Sequence, residues 1–375
     1  MRVLGGLVPL PFAAGWGCAM GCGSRTGLDL PNDTVRNGGG SSSRIGSGSG
    51  SGSGDDSGSL PMSCALGGHG VTNCGPRGSG TESCCTSLEV TGGTYFRTYV
   101  NDGNGPTGEA DPATVSSFRL DKYLVTVGRF RQFVSALNHG YLPPSGSGRH
   151  THLNRGSGLD ATGGSYEPGW VATDDIYIIG GANTNLTCDA NYATWTNEAG
   201  NHEELPINCV NWYQAYAFCI WDGGFLPSEA ELGYATAGGS RQFAYPWGST
   251  APGTVCPGTG CQYAIYNCDY PNGSGTCVGV SNIAPVGTAT LGPGLWGQLD
   301  LAGEVFEWSL DWYATYVNPC TDCANLTLPS PSDRVSRGGN FNYGAAYLSS
   351  SYRYYGFRYP NAPDYDIGLR CARTP

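Results

Sequence analysis

No run of lysine or arginine occurs anywhere in the 375 residues, and the formal charge is −11. This argues against a nucleic acid or an anionic membrane surface as partner and leaves an acidic, soluble exterior. No long apolar stretch is present either. The N-terminal one, Val3 to Ala14, is too short and too broken by Gly and Pro to span a bilayer permanently. The first quarter of the chain has too few apolar residues to bury a core, so one folded unit of about 290 residues is expected. A narrower absence matters most for chemistry: no cysteine lies between Cys323 and Cys371.

Elsewhere cysteine is abundant. Sixteen in all point to an oxidising compartment and to disulfides. Residues 1–22 agree, with a basic start at Arg2, an apolar stretch and small residues before Cys18 and Cys22. A lipoprotein signal with lipidation at Cys22 is expected, an ordinary cleaved secretory signal being the alternative, so the protein belongs in the cell envelope or is secreted. Residues 23–60, almost pure Gly and Ser from Gly38 to Ser59, read as a flexible tether. The segment 61–89 holds Cys64, Cys74, Cys84 and Cys85. Their spacing fits two local disulfides better than the paired C-x2-C ligands of a zinc site.

The folded region is placed at 90–375. Alternation over Ser117–Val125 predicts a half-buried strand. Thr126 then caps a helix in which Phe130, Phe133, Val134 and Leu137 recur at i, i+3, i+4 and i+7, ending at His139-Gly140. A second helix is expected from Asn211 to Asp222, stopped by Gly223-Gly224. A third starts at Ser228, with Glu231 three residues on as a capping box. Abundant Gly, Pro, Asn and Asp predict long loops that need extra fastening.

After the Tyr123-Leu124-Val125-Thr126 joint, four ordered motifs run through this region: Phe225-Leu226-Pro227-Ser228-Glu229-Ala230-Glu231-Leu232; Tyr245-Pro246-Trp247-Gly248; Gly303-Glu304-Val305-Phe306-Glu307-Trp308; and Arg337-Gly338-Gly339-Asn340 leading to Gly368-Leu369-Arg370-Cys371-Ala372. In order and spacing they resemble the formylglycine-generating enzyme, or sulfatase-modifying factor, family. The resemblance implies an irregular α+β fold of the C-type lectin-like kind, low in regular structure and stabilised by calcium and disulfides. It implies a Cys219–Cys371 disulfide. It also implies one calcium site, with Asp300 and Glu307 giving side-chain oxygens and Gly303 and Val305 giving carbonyls, hard donors that suit the ion. Two acidic residues on a solvated hairpin are the alternative. At the family's other calcium site Asn267 is retained, but the expected Asp falls near Val278, in a loop with Cys256, Cys261, Cys268 and Cys277, and disulfides are expected in place of that ion. Cys320-Thr321-Asp322-Cys323 reads as a small loop disulfide, since nothing thioredoxin-like surrounds it.

The family's chemistry uses two cysteines that hold copper(I), an ion selected by soft thiolates. Aligned back from Asn361-Ala362-Pro363-Asp364, those positions are Ser350 and Tyr355. Copper and formylglycine-generating activity are therefore not expected. The same stretch offers Tyr352, Arg353, Tyr354, Tyr355, Phe357, Arg358 and Tyr359 where the family's groove accepts an extended peptide, and Tyr and Arg dominate binding interfaces. The alternative is that about every second ring points inward as core. Two functions follow: a tethered binding module for an extracytoplasmic peptide, glycan or protein, or an oxidoreductase holding non-heme iron through His150 and His152, with His139 or His202 as a third imidazole.

Overall fold

In the computed structural model of the chain, the described residues are 60–65, 67–161, 164–179, 185–253, 262–329, 332–354 and 359–375. Helix α1 (Val127–Asn138) begins at Thr126, whose hydroxyl accepts the Arg129 amide. Its Phe130, Phe133 and Val134 are buried, with Leu137 at the margin of the same cluster, as the spacing requires. Phe130 stacks on Phe218 at 5.4 Å and Phe133 meets that ring edge-on at 5.7 Å, which docks α1 on α2 (Trp212–Trp221). Asn211 and Gln214 form a reciprocal capping box at the start of α2. Ser228 and Glu231 do the same for α3 (Glu229–Ala237), which ends at Gly238 in the left-handed conformation, φ 64°. Every residue of α3 is buried, so the caps mark it better than any apolar stripe does.

The strands form four three-stranded sheets among the described residues. Phe118–Asp121 lies between Ser87–Val90 and Ala372–Arg373, antiparallel to both, so the two ends of the domain meet in one sheet. Phe306–Trp312 is central in the next, antiparallel to Arg334–Arg337 and parallel to Ile367–Gly368. The hairpin Gly93–Asn101/Pro106–Val115 carries Cys320–Thr321 on its edge, and Asp160–Ala161 pairs with Ser165–Tyr166 and Cys323–Ala324. The strand expected over Ser117–Val125 is thus only four residues long. Beyond Asp121 the backbone turns, and the Val125 amide bonds to the Leu369 carbonyl as a connection outside the ladder.

The cysteine-rich segment belongs to the same unit, which extends from Gly58 to Pro375; a boundary between residues 89 and 90 would cut through the paired strand Ser87–Val90. Disulfides Cys64–Cys85 and Cys74–Cys84 close the segment, leaving none of these four thiolates for zinc. A buried polar network fastens it where apolar residues are scarce: the Arg129 guanidinium pairs with Asp121 at 3.0 Å and Asp222 at 2.6 Å, and Ser63 bonds to both Arg129 and Asp222. Cys219–Cys371 and Cys320–Cys323 form as expected, joined by Cys188–Cys209 and Cys268–Cys277. Cys22, Cys256 and Cys261 lie outside the described residues.

Candidate functional site

The segment expected to carry the family's cysteine positions is anchored to α3. Ser350 is 2% exposed; its hydroxyl donates to the Thr236 carbonyl at 3.0 Å and its amide to the Ala244 carbonyl at 2.9 Å. Three residues on, Arg353 grips Glu229 with both prongs of its fork, Nε to Oε1 and Nη2 to Oε2 at 2.7 Å each. Arg337 reaches the same carboxylate from the strand 334–337 at 3.1 Å and donates on to the carbonyls of Ser350 and Tyr352. Its remaining nitrogen bonds to the Tyr316 hydroxyl at 2.9 Å. Burial alone would raise the Glu229 pKa, but Arg353 and Arg337 hold it below the ordinary carboxylate value. Arg353 is therefore a positioning residue whose fork is engaged within the protein. Glu229 was not singled out in the sequence, although the signal is there: Leu226–Glu231 offers two acids where the capping box needs only Glu231, which leaves Glu229 without a local partner.

Around this anchor the tyrosines form a contiguous, half-buried series. Tyr354 packs on Phe306 at 4.7 Å and on Tyr343 at 6.2 Å. Tyr343 meets Tyr347 at 4.7 Å, and Tyr347 meets Tyr352 edge-on at 5.0 Å. Tyr359 is 45% exposed. Tyr355, Phe357 and Arg358 lie outside the described residues. Over 351–354 strict alternation between core and solvent is not seen: all four residues are half-buried, and the pairing there is a single bridge from Tyr354 to Ser336. Tyr343 and Tyr347, on either side of Gly344, complete the series and were missed in the sequence.

His150 and His152 do not combine as a metal pair. The imidazole of His150 is enclosed by carboxylates, Nδ1 2.9 Å from Glu167 and Nε2 3.0 Å from Glu231. Burial would lower its pKa, but Glu231 and Glu167 together push it up to about 10, and each ring nitrogen is engaged by a carboxylate instead of being turned to a metal. His152 sits 6.2 Å away, stacked on Phe225. The Nδ1 atoms of His139 and His202 bond to the carbonyls of Ser135 and Thr194. Among the described residues no group of three or more His, Cys, Asp or Glu is arranged to hold a metal ion. The raised pKa has a pH consequence. Since His150 binds its proton more tightly folded than unfolded, its contribution is complete below pH 6.5 and is lost as pH rises through about 10. Unfolding midpoints of the wild type are expected to fall over that interval more steeply than those of His150→Gln; parallel profiles would refute the buried imidazolium.

The four expected calcium donors are close in the chain but unequal in availability. Asp300 is buried, with Oδ2 accepting the Gly287 amide at 2.6 Å and Oδ1 bonded to nothing. Burial pushes its pKa up to about 6, a penalty that a cation would relieve. Glu307 differs, because Arg370 donates to both its oxygens, at 2.6 and 3.0 Å. Glu304, passed over in the sequence, is buried with Oε1 unpartnered, and burial with Asp300 beside it drives its pKa well above the ordinary value. Gly303 has φ +89°, and a Cβ there would lie 2.5 Å from the Ile265 carbonyl oxygen, so only glycine fits between these acids. Of the expected donors, Asp300 keeps one buried oxygen unpartnered, while both oxygens of Glu307 are occupied by a guanidinium.

The model of the sulfatase-modifying factor enzyme 1-like domain matches residues 76–375. The formylglycine-generating enzyme of Thermomonospora curvata is 29% identical over 321 residues, covering 80% of this chain and 97% of that protein. A mouse protein named inactive C-alpha-formylglycine-generating enzyme 2 is 26% identical over 303 residues, 76% of this chain and 85% of its own. Among solved structures, Treponema denticola variable protein 1 is similar over 77% of this chain and 95% of its own, with 19% identity and a TM-score of 0.45.

Proposed function

The chain belongs to the sulfatase-modifying factor enzyme 1-like family, and from that premise we propose that it is a binding module on this scaffold, without formylglycine-generating activity. One observation carries the reading: where the family places its first copper-binding cysteine stands Ser350, buried, with its hydroxyl donated to the backbone of α3. A hydroxyl so placed is a hard, engaged donor and not the soft thiolate that copper(I) requires. A relative whose name records inactivity is consistent with a scaffold retained without its oxidation chemistry. The half-buried tyrosines 343, 347, 352 and 354 with exposed Tyr359 supply rigid, amphipathic contact area for an extracytoplasmic peptide, glycan or protein. Calcium is proposed as a structural ion at Asp300, where one buried carboxylate oxygen is bare.

Metal analysis of the purified protein tests this. Calcium without stoichiometric copper or iron is expected, together with no conversion of a cysteine peptide under copper(I) and oxygen. Stoichiometric copper or iron would instead favour a metal-dependent oxidoreductase of the same family. We further propose that the module is held at the cell envelope by a lipid on Cys22. Cys22→Ala is then expected to move from the membrane to the soluble fraction, and a variant that stays with the membrane excludes that anchor.

A further inference from the structure

A cavity of about 130 Å³ is lined by residues from α2, the strands 306–312 and 334–337, and the 167–174 segment, and none of its lining residues belongs to the tyrosine series. On its wall Arg334 is clamped between two indoles, the guanidinium carbon 3.5 Å from the ring centroids of both Trp212 and Trp312. Stacked in this way, the group can act only through its edges. Nη1 donates to the Leu310 carbonyl at 2.6 Å, whereas Nε is buried and has no partner. The residue is 8% exposed, and burial pushes its pKa down to about 9 because the nearest acids do not offset the desolvation.

The same cavity holds a complementary group. Glu167 is 3% exposed; its Oε2 accepts from the His150 ring and from the His150 and Leu159 amides, while Oε1 is buried without a partner. Asp174 also lines the space, with Leu310, Leu326 and Val171 as aliphatic wall. A side-on guanidinium edge is built for a carboxylate, and bare carboxylate oxygens call for an N–H donor. A simple anion would satisfy Arg334 but face Glu167 and Asp174, and a simple amine would meet the reverse conflict. A molecule carrying both charges satisfies both.

We propose that this cavity binds a small zwitterion, an α-amino acid with a short aliphatic side chain, its carboxylate turned to Arg334 and its ammonium to Glu167 and Asp174. The size agrees. A cavity of about 150 Å³ admits a ligand of benzene's dimensions, so about 130 Å³ is matched to alanine or valine.

Titration of the full chain with L-alanine, propionate and ethylamine, followed by the indole signals of Trp212 and Trp312 in NMR spectra, tests the assignment. Saturable shifts are expected with alanine, with propionate and ethylamine each at least tenfold weaker. Arg334→Lys, which keeps the charge and loses the fork, is expected to weaken alanine at least tenfold. Should that variant fold poorly, Asp174→Asn on the partly exposed 3-10 turn is expected to narrow the preference for alanine over propionate. Absence of saturation by alanine overturns the proposal. So does propionate binding as tightly as alanine, or a folded Arg334→Lys that binds alanine unchanged.

Discussion

Glu229→Gln is expected to lower the free energy of unfolding by about 3–5 kcal/mol, the range for removing one partner from a buried ion pair. Glu229 is the carboxylate shared by Arg337 and Arg353. Glutamine keeps the shape and one acceptor, but leaves two guanidinium groups in a site that is nearly closed to water. The partial remedy lies in Asp311, which bonds to the Glu229 amide. Burial and the Glu229 charge push the Asp311 pKa up to about 7; with residue 229 neutral, part of that upward push disappears and Asp311 ionises more readily. The loss should therefore be smaller at pH 8 than at pH 6, a slope that a packing defect would not give. Denaturant unfolding at both values checks it, and a loss below about 1 kcal/mol would mean that the arginines are compensated elsewhere. Because the same contacts hold the backbone of Ser350, Tyr352 and Arg353, the variant should also increase hydrogen exchange in 350–354 ahead of the rest of the domain.

Removing the Cys219–Cys371 bridge with the double variant Cys219→Ala/Cys371→Ala is expected to cost about 3–5 kcal/mol. The bond closes a separation of 152 residues, so in the chain-entropy model it withdraws a large share of the unfolded chain's freedom. Its position adds a structural reason. Cys371 directly precedes the strand pairing with Phe118–Asp121, and Cys219 lies in the last turn of α2. The bridge therefore binds the end of the chain to the helix on which α1 packs. Equal unfolding midpoints for the double variant and the wild type would show that packing alone holds this junction.

The extent to which the sequence foretold the structure follows from the range of the interactions involved. Thr126, Asn211 and Ser228 each bond to an amide three residues away, and such local contacts placed all three helix starts. Period-3.6 spacing placed Phe130 and Phe133 in the core. The short strands resisted prediction because two- to four-residue pairings, such as Ile367–Gly368 on Phe306–Trp312, carry too little alternation to detect. For the candidate site, the sequence singled out Ser350 with Tyr352, Tyr354 and Tyr359, but neither Tyr343 and Tyr347 nor which of the neighbouring arginines were already engaged.

The sequence by itself determined the family frame, the oxidised cysteine chemistry and the absence of a thiol at residues 350 and 355, since each depends only on which atoms are present and in what order. The tertiary structure decided the charge partners. Glu229 meets Arg353 across 124 residues, Glu307 meets Arg370 across 63, and His150 meets Glu231 across 81. No local pattern encodes such meetings: an acid written beside a helix cap or in a loop looks solvated until the fold removes the water and brings a particular cation to it.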